Sequence, residues 1–433
     1  MKYYSTNNKS AEVSLREAVV KGLAPDRGLY MPQRIERLDN QFYETIDQLS
    51  LQEIARVVSS SFFSEDIDQE SLDFITNDTL NFPIPLVEVE PNIYVLELFH
   101  GPTFAFKDVG ARFMARMLSH FVQTEKEEDI NVLVATSGDT GSAVANGFLG
   151  VEGVKVYVLY PAGKVSDIQE AQFTTLGQNI TAIEVDGTFD DCQRLVKSAF
   201  LDEELNKVMK LTSANSINVA RFLPQSFYYF HAYAELKKRG VMDDFVFSVP
   251  SGNLGNLTAG LFAKRMGLPV KRFIAANNRN DVFSEYLKTG SYDPRSSVQT
   301  IANAMDVGDP SNFERIVDLY NHSHQAIAAD VAGYRYSDEE IRKAISSVYD
   351  STGYLLDPHG ACGYMALKED LKEGEQGVFL ATAHPAKFKE TVEESMGGTI
   401  EIPQGLQQFM HREKRVETCS ADYENFKTLL LNT

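Results

Sequence analysis

Cysteine is scarce. Cys192, Cys362 and Cys419 are the only three in 433 residues, and they stand far apart. An odd, scattered set gives neither a disulfide framework nor the spacing of a zinc site. The thiols read as reduced, which fits the cytoplasm. The eight histidines are also dispersed. His322 and His324 are two residues apart and would not share a helix face, and no His-x-x-x-His pair occurs. That weakens a metal hydrolase, and no metal ligand is assigned. No apolar run is long enough to span a bilayer. The start, Met1-Lys2-Tyr3-Tyr4-Ser5, lacks the apolar core of a signal peptide. Basic residues are outnumbered 41 to 61, for a net charge of −20. A chain of that sign is a poor general surface for nucleic acid or anionic membrane. Any anionic small molecule it takes needs a locally basic site.

What is present is length and rhythm. The length suggests more than one domain, and 43% hydrophobic residues suffice for a large core. Residues 1–95 read as a small N-terminal unit with helical patterns over 13–22, 43–63 and 64–80. Strands follow over 86–89 and 93–98. Beyond a helix over 109–122, short runs rich in Val, Ile, Leu, Phe and Tyr recur at 131–135, 155–160, 180–185, 245–249, 270–276 and 377–381. Helical patterns separate several of them, and residues 337–349 and 364–372 look amphipathic. The alternation predicts an α/β fold with parallel sheet covered on both faces. Ligands of such sheets bind outside the carboxyl ends of the strands. Residues 96–395 are therefore expected to form the catalytic region, as two α/β subdomains, with 396–433 a polar tail of unassigned role.

Five loops carry candidate chemistry. In the first, Phe104, Phe106 and Val109 surround Lys107. A lysine among apolar groups loses charge and becomes a nucleophile for an aldehyde; the alternative is a lysine at the surface end of a helix. The second is Thr136-Ser137-Gly138-Asp139-Thr140-Gly141. Its hydroxyls and amides suit a carboxylate. Asp139 either caps the helix or faces a cofactor hydroxyl or an iminium proton. The third, Ser213 to Arg221, offers Asn215, Ser216 and Arg221 as donors for phosphate, or else an N-cap and a surface arginine. The fourth, Ser251-Gly252-Asn253-Leu254-Gly255-Asn256, follows a strand and opens a helix. It lacks the Lys-Ser/Thr ending of a nucleotide loop and suits a monophosphate, or is an ordinary turn. In the fifth, Thr382 marks the end of a strand, His384 reads as structural, and Lys387 is either buried or a solvated helix residue.

Together these stretches closely resemble threonine synthases of the bacterial and fungal type, pyridoxal-phosphate enzymes of the tryptophan-synthase-β-like superfamily (fold type II). The resemblance rests on His100-Gly101-Pro102-Thr103-Phe104-Ala105-Phe106-Lys107-Asp108, on the four later loops, and on Gly22-Leu23-Ala24-Pro25-Asp26-Arg27-Gly28-Leu29-Tyr30-Met31-Pro32 near the start. It covers nearly the whole chain. Leu254 and Asn256 depart from the Phe and Asp frequent in relatives.

The resemblance implies pyridoxal 5′-phosphate as cofactor and O-phosphohomoserine as substrate. Lys107 would bond to the cofactor aldehyde and shuttle protons. Gly252, Asn253, Leu254 and Asn256 would hold the cofactor phosphate, with Thr382 at the pyridine nitrogen and Asp139 near the ring hydroxyl. Thr136, Ser137 and Thr140 would take the substrate carboxylate. Asn215, Ser216 and Arg221 would take its phosphate, with Lys387 or Lys164 turned inward to help. A phospholyase releasing a keto acid and ammonia is the nearest alternative, and a non-catalytic relative is another. A cytoplasmic monomer or homodimer is expected. Replacing the central amine is the direct check. Lys107→Ala is expected to lack the visible absorption of a lysine-bound cofactor and to form no threonine, as read by absorbance and amino-acid analysis.

Overall fold

The computed structural model describes residues 1–125 and 129–433. The short apolar runs become the central strands of two sheets. The larger sheet has six strands in the order Val331–Arg335, Arg272–Asn277, Phe245–Pro250, Gln376–Ala381, Ile93–Glu97 and Leu86–Glu90. Its pairs are parallel except the last, an antiparallel hairpin. The second sheet has five strands, all parallel, in the order Glu417–Ser420, Ile180–Asp186, Val154–Pro161, Ile130–Ala135 and Lys210–Ser213. Every residue of Ile130–Ala135 and of Phe245–Pro250 is buried. Strands covered on both faces read as continuous apolar runs, which is why these were visible in the sequence. A small antiparallel sheet, Val13–Ser14, Lys2–Ser5 and Tyr30–Pro32, belongs to the N-terminal region.

Several boundaries differ from expectation. The stretch 43–63 is two helices, Asn40–Thr45 and Leu51–Phe63, because Ser50 and Glu53 form a reciprocal cap that restarts the helix. The next helix is Gln69–Thr79, started by the Asp68 carboxylate. The pattern at 364–372 belongs to a longer helix, Pro358–Asp370, whose Asp357 cap and Pro358 at the first turn mark its start. Besides the three strands of the N-terminal sheet, three strands of the two main sheets were not anticipated among the described residues: Lys210–Ser213, Val331–Arg335 and Glu417–Ser420. All three are edges, and the last buries only Cys419.

The helix Lys107–Glu125 starts at the lysine itself and buries Phe113, Met114, Met117, Leu118 and Phe121. Its interior glycine, Gly110, has a packing reason. A Cβ there would lie 2.4 Å from the Arg221 carbonyl oxygen, so only glycine lets the helix meet Val219–Phe222.

Residues 396–433 are part of the fold. Glu417–Ser420 extends the second sheet beside Ile180–Asp186. The helix Tyr423–Asn432 then sets Phe426 and Leu430 into one cluster with Cys192, Leu195 and Val196. Phe426 is fully buried. Phe426→Ala is expected to cost about 3–5 kcal/mol, seen as faster amide hydrogen exchange in Ile180–Asp186.

Candidate active site

The loops leaving the carboxyl ends of Ile130–Ala135, Lys210–Ser213, Phe245–Pro250 and Gln376–Ala381 meet around Lys107. They enclose a cavity of about 680 Å³. Lys107, Thr136, Ser137, Thr140, Asn215, Ser216, Arg221, Gly252, Asn253, Leu254, Asn256 and Thr382 all line it. Asp139 is off the wall, buried behind Lys107, and so is Lys387. Lys164 is exposed and does not line the cavity, so it is not turned inward.

Lys107 Nζ lies 3.8 Å from Asp139 Oδ2 and 4.8 Å from the centre of the Phe106 ring. Burial pushes its pKa down. Asp139 opposes that shift, while Lys387 and Arg221 reinforce it. Asp139 has a second cation. Lys387 Nζ is 2.7 Å from Asp139 Oδ1 and donates at 2.8 Å to the Thr103 carbonyl. Gln169 Nε2 donates to the same carboxylate oxygen at 2.9 Å. Burial alone would raise the Asp139 pKa, but Lys387 and Lys107 hold it well below the usual carboxylate range. Lys387 is fully buried, which decides between its two readings. His384 is structural, accepting from the Ala386 amide at 3.1 Å, and burial lowers its pKa to about 4.

The glycine loop is open to an anion. Among the described residues, the amides of Asn253, Leu254, Gly255 and Asn256 donate to no protein acceptor. Leu254 has φ 61° and ψ 6°, a left-handed turn in a non-glycine residue, and the helix Gly255–Met266 begins immediately after it. Free amides at a helix start with its positive dipole end form an anion cradle. The Asn256 side chain is turned to the loop itself, donating to the Pro250 carbonyl at 2.9 Å. Only its backbone amide faces the cradle's task.

Elsewhere on the wall, Arg221 is buried, and its Nη1 donates to the Ala214 carbonyl. Its Nε has no partner, and burial brings its pKa to about 10. A buried guanidinium N–H without an acceptor is costly, and an anion in the cavity would satisfy it. Thr136 Oγ1 accepts from the Gly138 and Gly141 amides at 2.9 and 2.8 Å. It therefore shapes its loop, while among the described residues the Ser137 and Thr140 hydroxyls have no protein partner. The Thr382 hydroxyl has no protein partner among the described residues.

Sequence reasoning missed part of the wall. Residues 303–311 cover one side. His359 stands behind them, accepting from the Ala304 amide at 3.2 Å through Nε2 while Nδ1 donates to Asp357 at 2.7 Å. Lys21, Leu23, Arg27 and Leu29 bring the N-terminal region to the rim. The Asp357-Pro358 helix start was the available signal for His359. The 303–311 segment lies outside any motif.

Known proteins agree with this geometry across the full chain. A family model described as "Pyridoxal-phosphate dependent enzyme" matches residues 79–383. Models for the threonine synthase N terminus and C-terminal region match 2–80 and 360–430. The threonine synthase of Haemophilus influenzae is 43% identical over 433 residues, covering 100% of each chain. The crystal structure of threonine synthase from Escherichia coli superposes with a TM-score of 0.93 at 42% identity, over 100% of each chain. A PLP-bound threonine synthase from Brucella melitensis gives 0.93 at 34% identity, over 100% of this chain and 99% of that one. A buried lysine of lowered pKa beside a loop of open amides, on a chain matched from end to end by these relatives, places the protein in the threonine synthase family of pyridoxal-phosphate-dependent enzymes.

Proposed function

We propose that this chain converts O-phosphohomoserine and water into L-threonine and phosphate, and that it does so in the cytoplasm. One observation carries the reading. A single cavity holds a buried amine with a lowered pKa and two sets of anion donors, the 253–256 amides with Ser216 beside them and the Arg221 guanidinium with its unpartnered Nε. Two such sets suit two phosphates, one on the cofactor and one on the substrate.

The residues present fit pyridoxal phosphate. The open amides of Asn253, Leu254, Gly255 and Asn256 match a phosphate monoester. The unpartnered Thr382 hydroxyl suits the ring nitrogen, and Lys107 suits the aldehyde. Bound there, the cofactor supplies an electron sink for charge developing beside the substrate nitrogen. The rest is the work of this chain's side chains. Ser137 and Thr140 orient the substrate carboxylate. Arg221 holds the phosphate that leaves Cγ. Lys107 Nζ takes the proton from Cα, a second proton leaves Cβ as the phosphate leaves Cγ, and a proton is returned at Cγ and, after water's hydroxyl joins Cβ, at Cα. Thr382 offers a hydroxyl rather than an acid, so it does not hold a proton on the ring nitrogen. Charge is thereby directed toward Cβ and Cγ.

Lys387 has a defined part in this scheme. By pairing with Asp139 Oδ1 it offsets the carboxylate that would otherwise keep Lys107 charged. We assign Lys107 the role of proton carrier, for which a neutral amine is required.

Two measurements test the reading. Purified protein given O-phosphohomoserine is expected to release phosphate and threonine in equal amounts. Release of 2-oxobutyrate and ammonia instead would make it a phospholyase. Lys387→Met removes a positive neighbour and leaves Asp139 facing Lys107 alone, so the Lys107 pKa rises. The acid limb of the kcat/KM profile is then expected to move to higher pH. Asp139→Asn is expected to move it to lower pH.

A further inference from the structure

The Ser216 hydroxyl is held in an unusual way. Asn253 Nδ2 and Asn312 Nδ2 both lie 3.0 Å from its oxygen. The orientation of each amide is fixed by partners that have only one polarity. Asn253 Oδ1 meets the Ser311 backbone N–H at 2.6 Å, which can only donate. Asn312 Oδ1 meets Arg315 Nη1 at 2.7 Å, which also can only donate. Asn312 Nδ2 meets the Asn253 carbonyl at 2.9 Å, which can only accept. Neither amide can flip without setting two donors or two acceptors against each other. Both therefore present N–H to Ser216.

A hydroxyl has two lone pairs and one hydrogen. Two incoming N–H bonds occupy both lone pairs of Ser216 Oγ, and its hydrogen must point elsewhere. Among the described residues no protein acceptor receives it, and Ser216 lines the cavity.

The support beneath this lock is buried and complete. Asn312 and Arg315 are both fully buried. The Arg315 guanidinium donates to the carbonyls of Tyr30, Ser216 and Ile217 as well as to Asn312. Its plane rests on the Phe222 ring, 4.1 Å from the centroid. Gly255 makes room for the arrangement, since a Cβ there would come within 2.9 Å of Ser216 Cβ.

We propose that Asn312 is a positioning residue that, together with Asn253, turns Ser216 into an obligate hydrogen-bond donor for a phosphate-class oxyanion in the cavity. The inference rests on the reading of this cavity as a phosphate-ester site. It adds the residue that sets the direction of the proton. The oxyanion belongs either to the cofactor's phosphate or to the substrate's.

The test uses full-length, cofactor-loaded protein and two readouts independent of product: the calorimetric Kd for inorganic phosphate, and retention of cofactor absorbance on dilution. Ser216→Ala is expected to weaken one of them by roughly 10- to 100-fold, the effect of losing a hydrogen bond to a charged group. Loss of phosphate binding assigns the substrate's phosphate; loss of cofactor retention assigns the cofactor's. Asn312→Asp keeps an acceptor for Arg315 but turns an acceptor toward Ser216, reversing its hydroxyl. It is expected to reproduce the Ser216→Ala loss. In the Ser216→Ala background it is expected to add no more than about twofold, because residues acting through one group are not additive. Asn312→Ala frees the hydroxyl without reversing it. It carries the same test, with a smaller loss, if the aspartate variant does not fold. The proposal is overturned if Ser216→Ala leaves both readouts unchanged. It is also overturned if the Asn312 effect persists undiminished without the Ser216 hydroxyl. Neither readout involves an amino-acid substrate, so a failure to form threonine leaves this result intact.

Discussion

Two lysines share one buried carboxylate, and the site depends on how they share it. Asp139 holds Lys387 at 2.7 Å and faces Lys107 at 3.8 Å. A lone lysine buried behind Phe106 would lose its proton but would have nothing to keep it in place. A lysine paired with a carboxylate of its own would be held, but held charged. With the closer contact given to Lys387, Asp139 is near enough to place the Lys107 amine, while Lys387 weakens its hold on the Lys107 proton. A buried ion pair adds little stability by itself, but loss of one partner is strongly destabilising. Asp139 and Lys387 therefore act as a unit, anchored further by Gln169 and the Thr103 carbonyl.

The same unit joins the two halves of the molecule. Asp139 opens a helix that follows a strand of the second sheet, whereas Lys387 follows a strand of the larger one. The ion pair crosses between the sheets behind the cavity. Its geometry requires both sheets to be in register with each other. The Phe104 and Phe106 backbone contributes to that register: the Phe106 amide donates to the Thr382 carbonyl at 2.8 Å, and the His384 amide donates to the Phe104 carbonyl at 3.0 Å. Lys107 is thus fixed from the larger sheet by its backbone and from the second sheet by a charge.

What was legible in the sequence follows from the range of each interaction. The central strands and the loops at their ends are local features. A run such as Phe245 to Val249 followed by glycines and a helical pattern contains its own reading, and the cavity brought those loops together as expected. Pairings between distant residues left no such trace. Asp139 could not be told from a helix cap because its partner, Lys387, lies in the turn after a strand of the other sheet. Asn312 and Arg315 belong to no motif, and their role exists only once the loop after Arg272–Asn277 folds back over the glycine turn. The edge strand Glu417–Ser420 was unreadable for a different reason. With one buried side chain, its place is set by hydrogen bonds to Ile180–Asp186 and by the helix behind it, not by its own apolar pattern.

The polarity of the cavity follows from the same physics. The protein carries a net charge of −20, yet around the glycine loop the wall offers mainly neutral donors: backbone amides, the hydroxyls of Ser137, Thr140 and Ser216, and the side-chain amides that fix Ser216. Arg221 is the buried cation on the wall with an N–H left open. A cavity filled with lysines and arginines would bind phosphate as well, but it would also hold the inorganic phosphate released at the end. It would depress the pKa of Lys107 further and leave the amine a weak base. Neutral donors locked in direction recognise an oxyanion without adding charge beside the proton carrier. That requirement explains why so much buried hydrogen bonding, from Tyr30 through Arg315 and Asn312, is directed to the orientation of a single hydroxyl.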